Sequence, residues 1–259
     1  MGAESRALFL SPEAPYPLAG GGPLRSASLF EYLARKYAVD AILFRQPHEP
    51  PPACPRASRL GVVNLPVHSR DAASRLGRNA GRLLRGVPPL VDRFSGFEGE
   101  IAKLIGGERY ALGVVEHFWC AAYHPQIAAF CAKTVLDLHN IESEWHERCA
   151  GREHWPISAA LRRFGRKALE MERALLARYS LVLAASGQDA ARVREIAPEA
   201  TVFVYPNTIP WVGEPPHAEE NAIVFSGNME YLPNVQAVRH FRRGIWPILR
   251  RRHEGLRWG

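Results

Sequence analysis

Lysine is scarce in this sequence. Only Lys36, Lys103, Lys133 and Lys167 occur, so arginine supplies nearly all of the positive charge behind the formal net +7. That balance favours anionic partners in general, whether phosphates, lipid headgroups or nucleic acid, and selects none of them. Aromatic residues interleaved with basic ones are lacking too, which leaves nucleic-acid binding resting on charge alone. No apolar run reaches the roughly 18–20 residues that span a bilayer. The amino-terminal "RALFLSPEAPYP" has no small-residue cleavage site, which argues against a secretory signal. Cys54, Cys120, Cys131 and Cys149 form no C-x-x-C pair, a pattern of reduced thiols rather than a disulfide framework or zinc site. The expected location is therefore the cytoplasm. Near His139 and His146, Glu142 and Glu144 invite a metal reading, but H-E-x-x-H is missing and no metal site is expected.

What is present is alternation. Short apolar runs at 7–11, 39–44, 61–67, 111–116, 134–139, 181–186 and 201–206 are separated by amphipathic stretches at 23–37, 97–107, 157–179 and 187–197. Most of the short runs are continuously apolar, as in parallel strands covered on both faces. The pattern predicts an α/β domain, a Rossmann-like parallel sheet flanked by helices, over residues 1–210. "WVGEPPHAEEN" reads as a linker over 211–221. From residue 222 to 259 a strand, a glycine turn and a helix begin again, and "LRWG" ends where another strand is expected. This second segment reads as an incomplete Rossmann-like domain.

Three features fall at the carboxyl ends of the expected strands, where ligands sit in open α/β sheets. In "FLSPEAPYPLAGGGPLRS" (9–26), Gly20, Gly21 and Gly22 expose backbone N–H groups without side chains in the way. Pro23 suits the first turn of the helix that follows. That helix start is an anion site in waiting, and Arg25, one turn in, is expected to add a full charge. The strand "TVLDL" delivers Asp137, His139 and Asn140 to its end. "EHFW" brings Glu116 and His117 to the same edge, where they are candidates to line a cleft and meet a substrate. Ser186 reads as a helix cap. In the run 69–86, Arg75, Arg78, Arg82 and Arg85 share one helical face. A basic amphipathic helix of this kind can lie on an anionic membrane surface, giving a possible peripheral contact at the membrane's inner face.

In order along the chain, "ALFLS", "PYPLAGGGPLRS", "RGVPPLVDRF", "YALGVVEHFW", "TVLDLHNIES", "RKALEMERALLARYSLVLAASGQDA", "VYPNTIP" and "IVFSGNMEYLPNVQAVRHF" resemble the family 4 glycosyltransferases. Their GT-B fold sets two Rossmann-like domains face to face. The likeness covers essentially the whole chain and is similar in flavour to bacterial sugar transferases of exopolysaccharide and surface-glycan assembly. It implies a retaining transferase of hexosyltransferase type that moves a sugar from a nucleoside-diphosphate-sugar to an acceptor hydroxyl, on a glycan or lipid-linked acceptor. It also implies that Gly20–Gly22, with Arg25, meet the donor diphosphate, that Gly227 approaches it from the other domain, and that His139 reaches the transferred sugar. No metal or other cofactor is implied. Family members carry E-x7-E in a second half that this sequence does not reach, so the fragment alone is expected to be inactive. Two other readings remain open: a nucleotide-sugar epimerase of the same architecture, which would want further acid–base carboxylates, and a non-catalytic Rossmann-like binding module.

Overall fold

The computed structural model describes residues 5–18, 20–69, 71–209, 213, 220–227, 229 and 232–259. The linker expected over 211–221 lies almost wholly outside the described residues, as do Arg70 and Asn228. Contacts divide the chain into two compact units, Met1–Thr208 and Ile209–Gly259.

The first unit alternates strand and helix as its apolar runs require. Its elements begin β1 (Arg6–Ser11), α1 (Gly21–Ala34), β2 (Ala38–Arg45), β3 (Arg59–Asn64), α2 (Ala72–Arg85), α3 (Pro89–Arg93), α4 (Glu98–Ile105), β4 (Tyr110–Glu116) and α5 (His124–Ala128). They continue with β5 (Cys131–Leu138), α6 (Glu142–Ala150), α7 (Ile157–Leu175), β6 (Leu181–Ala184), α8 (Gly187–Ile196) and β7 (Val202–Val204). All seven strands are parallel, in the order β3–β2–β1–β4–β5–β6–β7. This is the doubly wound α/β arrangement of a Rossmann-like domain. Winding runs outward in both directions from the β1–β4 pair, which makes that pair the topological switch point.

Each strand buries alternate side chains on opposite faces. On one face Ala7, Phe9, Val114 and Val135 pack with Leu29, Phe30 and Leu33 of α1. On the other, Leu8, Leu10, Val115 and Leu136 pack with Ile101 and Ile105 of α4 and with Val193 and Ile196 of α8. The second core leaves no room at Gly113 of β4. A Cβ there would lie 2.5 Å from Ile127 Cγ2 and 2.6 Å from Cys131 Sγ. Gly113→Ala is therefore expected to cost about 1–3 kcal/mol by overpacking, measured as a lower urea midpoint.

Two helices carry caps of different kinds. Ser186 caps α8, its Oγ accepting from Asp189 N at 3.1 Å, as its sequence predicts. Helix α6 was not legible in the sequence, and no side chain of its own caps it. Glu172, far along the chain on α7, does so instead: its Oε1 accepts from Ser143 N at 3.0 Å and its Oε2 from Ser143 Oγ at 2.5 Å.

The second unit pairs β8 (Ala222–Ile223) in parallel with β9 (Arg257–Trp258). Between them run α9 (Leu232–His240), a π turn at Phe241–Ile245 and α10 (Trp246–Arg252). "LRWG" thus contains the strand whose absence the sequence suggested, and Phe241, Trp246 and Trp258 gather beside it. Among the described residues no helix is long and apolar enough to cross a membrane.

Candidate functional site

Register places the site. Glu116 ends β4 directly opposite Asp137 of β5, and His139 follows two residues later, so all three side chains share the face covered by α1. Helix α1 begins where β1's connection returns to the sheet, with Gly20 at its N-cap in a φ +121 conformation that side-chain-bearing residues rarely adopt. No side chain caps this turn, and Pro23 contributes no N–H. Gly21 and Gly22 therefore start a helix whose first donors lack internal partners. Gly21 is exposed, and a Cβ on it would meet nothing within 4 Å. At Gly22 the Oε2 of Glu13 comes within 3.1 Å of the Cβ position. Further along α1, Ser26 Oγ donates to Glu116 Oε2 at 2.7 Å, the oxygen that His139 Nε2 meets at 2.8 Å. The glycine run and the histidine thus converge on one end of the sheet.

Arg25 does not serve as the free cation that its place in the first turn suggests. It is buried, donates to both oxygens of Asp137 at 2.8 and 2.5 Å, and reaches Tyr205 O at 2.6 Å and Asn207 Oδ1 at 2.9 Å. Its guanidinium also lies 4.7 Å from the Tyr205 ring centroid. A planar fork among four acceptors is a structural joint. It ties α1, β5 and the segment leaving β7 together, and it corrects the expectation that Arg25 grips a diphosphate.

Glu116 and His117 differ from expectation as well. Neither lines an open cleft: Glu116 is fully buried and His117 is 6% exposed. Glu116 Oε2 accepts from Ser26 Oγ at 2.7 Å and meets His139 Nε2 at 2.8 Å. His117 stands behind His139 in a column of rings. Its centroid is 3.5 Å from that of His139 and 4.3 Å from that of Trp119, which in turn stacks on Phe94. Trp119 Nε1 donates to the buried Glu142, anchoring the column to α6. Among the described non-glycine residues only His117 has a positive φ, 62°. Its Nε2 is buried without a partner, as is Glu116 Oε1. A strained, partly unsatisfied residue of this kind costs of order 1–3 kcal/mol and is held by its surroundings. Nothing in the sequence signals that strain. Asn140, by contrast, is exposed beside His139.

Electrostatics follows from burial. Loss of water pushes Glu116 up to about 7, against the lowering effects of Ser26 and Arg25. It pushes His139 down to about 4, Asp137 partly opposing and Arg25 reinforcing. Asp137 rises to about 6, first through burial and then through Glu116, against the pull of Arg25. His139 is consequently neutral at physiological pH, and its pKa is not near the free value of 6.5. With Nε2 held by Glu116, Nδ1 is the ring nitrogen left for another partner. Glu116, Asp137 and His139 each offer a ligand atom within 4.8 Å of the others. Those atoms are already engaged with one another and with Ser26 and Arg25, whose guanidinium would repel a metal ion.

Gly227 lies in the second unit. A Cβ on it would come within 2.8 Å of Asn234 Nδ2 and 3.0 Å of Phe225 Cε1, so a larger residue there would have to displace those side chains.

No family model matches the chain. No curated protein matches it either. Among solved structures it is similar to sucrose-phosphate synthase from Thermosynechococcus elongatus, at 18% identity and TM-score 0.48, covering 78% of this chain and 48% of that one. It is similar to Arabidopsis thaliana UGT89C1 complexed with UDP, at 12% identity and TM-score 0.47, covering 80% and 50% respectively. A third likeness is to an α,α-trehalose-phosphate synthase (UDP-forming) from Burkholderia vietnamiensis, at 10% identity and TM-score 0.40, covering 78% and 48%. The chain spans about half the length of each of these structures.

Proposed function

We propose that this chain serves a retaining glycosyltransferase that moves a hexosyl group from a nucleoside-diphosphate-sugar to an acceptor hydroxyl of a surface glycan or lipid-linked glycan. In this reading residues 1–210 are the acceptor-side domain, 222–259 belong to the donor-side domain, and the work is cytoplasmic and free of metal. One observation carries the proposal: an uncapped helix start and a neutral histidine converge at the switch point of a parallel sheet. The ordered family phrases of the sequence agree with it.

Each group then has a task. The N–H groups of Gly21 and Gly22 face the charge that builds on the departing diphosphate, a preorganised form of transition-state stabilisation. His139, its Nε2 fixed by Glu116, turns Nδ1 to a sugar hydroxyl and orients the ring. Glu116 and the His117–Trp119 column hold that imidazole in place from behind, and Asn140 stands at the open side to meet substrate.

The test is calorimetric titration of the 259-residue chain with nucleoside diphosphates, comparing the native protein with Gly21→Asp. A side chain fits at Gly21, so the variant is expected to keep its melting temperature. Its carboxylate would take the place of the anion at the helix start, and the diphosphate is expected to bind at least about tenfold more weakly. Equal affinity for native and variant would remove the glycine run from the site.

A further inference from the structure

Helix α2 is amphipathic and sits the wrong way round. At about 100° per residue, Ala72, Ala73, Leu76, Ala80, Leu83 and Leu84 fall on one side and the arginines on the other. In a helix that packs on its own domain the apolar side turns inward. Here no residue of α2 is buried. Leu76 is 72% and Leu84 82% exposed, and the three alanines are exposed with them. The half-buried residues are Ser74, Arg78, Gly81, Arg82 and one leucine, Leu83.

Polar contacts hold it so. Arg82 Nε and Arg85 Nη2 donate to the two oxygens of Asp92 at 2.8 and 2.6 Å, and Arg78 Nη2 donates to Ser69 O at 2.7 Å. From α7, Arg163 donates to Leu83 O at 2.6 Å and Leu84 O at 3.3 Å, placing a cation at the helix's carboxyl end. An outward apolar face of two leucines and three alanines is thereby fixed in water, where it gains nothing.

From this geometry we infer that the outward face of α2 docks on an anionic phospholipid bilayer. Charge decides the occupant. Helix α2 contains no acidic residue, its Arg75 is exposed beside Leu76, and Arg162 and Arg166 of the neighbouring α7 are exposed too. Two further apolar side chains stand out at the start of α7, Trp155 at 82% and Ile157 at 55% exposure, the former of a type suited to the bilayer interface. Leucines entering the headgroup boundary with Arg75 and the exposed arginines of α7 near the same surface fit an interfacial surface. A second copy of the chain fits poorly, because a two-fold contact would set these arginines against themselves. The surface is independent of the reaction proposed above.

Flotation with vesicles tests it, using phosphatidylcholine alone or mixed with phosphatidylglycerol in equal parts. The native 259-residue chain is expected to float with the mixed vesicles, less so as salt rises, and not with phosphatidylcholine alone. Leu76→Asp with Leu84→Asp should lower binding at least about tenfold, with an unchanged melting temperature because neither side chain packs on the domain. Arg75→Glu should weaken it as well. The inference is overturned if the native chain ignores anionic vesicles, or if the double variant binds them equally well. It is also overturned if the leucine substitutions convert a self-associated protein to monomer without any effect on vesicles.

Discussion

Arg25→Ala is expected to destabilise the first unit by about 3–5 kcal/mol, the range for removing one partner of a buried ion pair. The side chain is 2% exposed and Asp137 is fully covered. Deleting the guanidinium leaves the buried carboxylate beside Glu116 and His139 without its counter-charge, and frees Tyr205 O and Asn207 Oδ1. Asp137 already titrates at about 6 with the arginine beside it, so without it the carboxyl rises further and takes up a proton near neutrality. Arg25→Lys should rescue only part of the loss, because a single ammonium cannot reproduce the forked contact. Adding Asp137→Asn to Arg25→Ala should recover stability relative to Arg25→Ala alone, since no charge is then left unpaired. Urea denaturation of the four proteins measures this. A loss below about 1 kcal/mol for Arg25→Ala would place the residue with exposed, weakly contributing pairs.

The Arg25 joint marks the boundary of what the sequence could disclose. Strand positions were legible because parallel strands buried on both faces are continuously apolar, and all seven appear. The carboxyl-end placement of Gly20–Gly22, Glu116 and His139 followed from that, since strand ends and topology fix the edge. What each side chain does there did not follow. Arg25 and Asp137 lie 112 residues apart, and nothing local announces that one consumes the charge of the other. Helix α6 was missed because its cap, Glu172, comes from a different helix. His117 looked like a substrate contact because strand-end loops often carry such residues. Its positive φ and its place between two rings are products of packing. At α2 the amphipathic pattern was plain, but the way the helix faces was not, because that depends on Asp92 and Arg163 in elements that follow it.

Opposite pH dependences are expected when either partner of the Glu116–His139 contact is replaced. Glu116 has a folded pKa of about 7 against 4.5 for the free group. Between those values the folded protein holds a proton that the unfolded chain lacks, so stability falls as pH rises from about 4.5 to 7. His139 has a folded pKa of about 4 against 6.5. There the unfolded chain holds the extra proton, so stability rises over about pH 4 to 6.5. Each effect amounts to about 3 kcal/mol at 1.36 kcal/mol per pKa unit, and in the native protein the two nearly cancel. Glu116→Gln removes the falling contribution, so its stability should climb relative to native across about pH 4.5–7. His139→Gln removes the rising one, so its stability should decline relative to native across about pH 4–6.5. Asp137, raised to about 6 chiefly by burial, gives a downward trend in all three proteins, which is why the comparison is with native. Urea midpoints at half-unit steps of pH follow both curves. Parallel curves for native and variants would show that no proton is exchanged between this carboxyl and this imidazole on folding. The same result would remove the basis for a neutral His139 at the site, because only burial that drives the proton from the imidazole and retains one on the carboxyl produces two slopes of opposite sign.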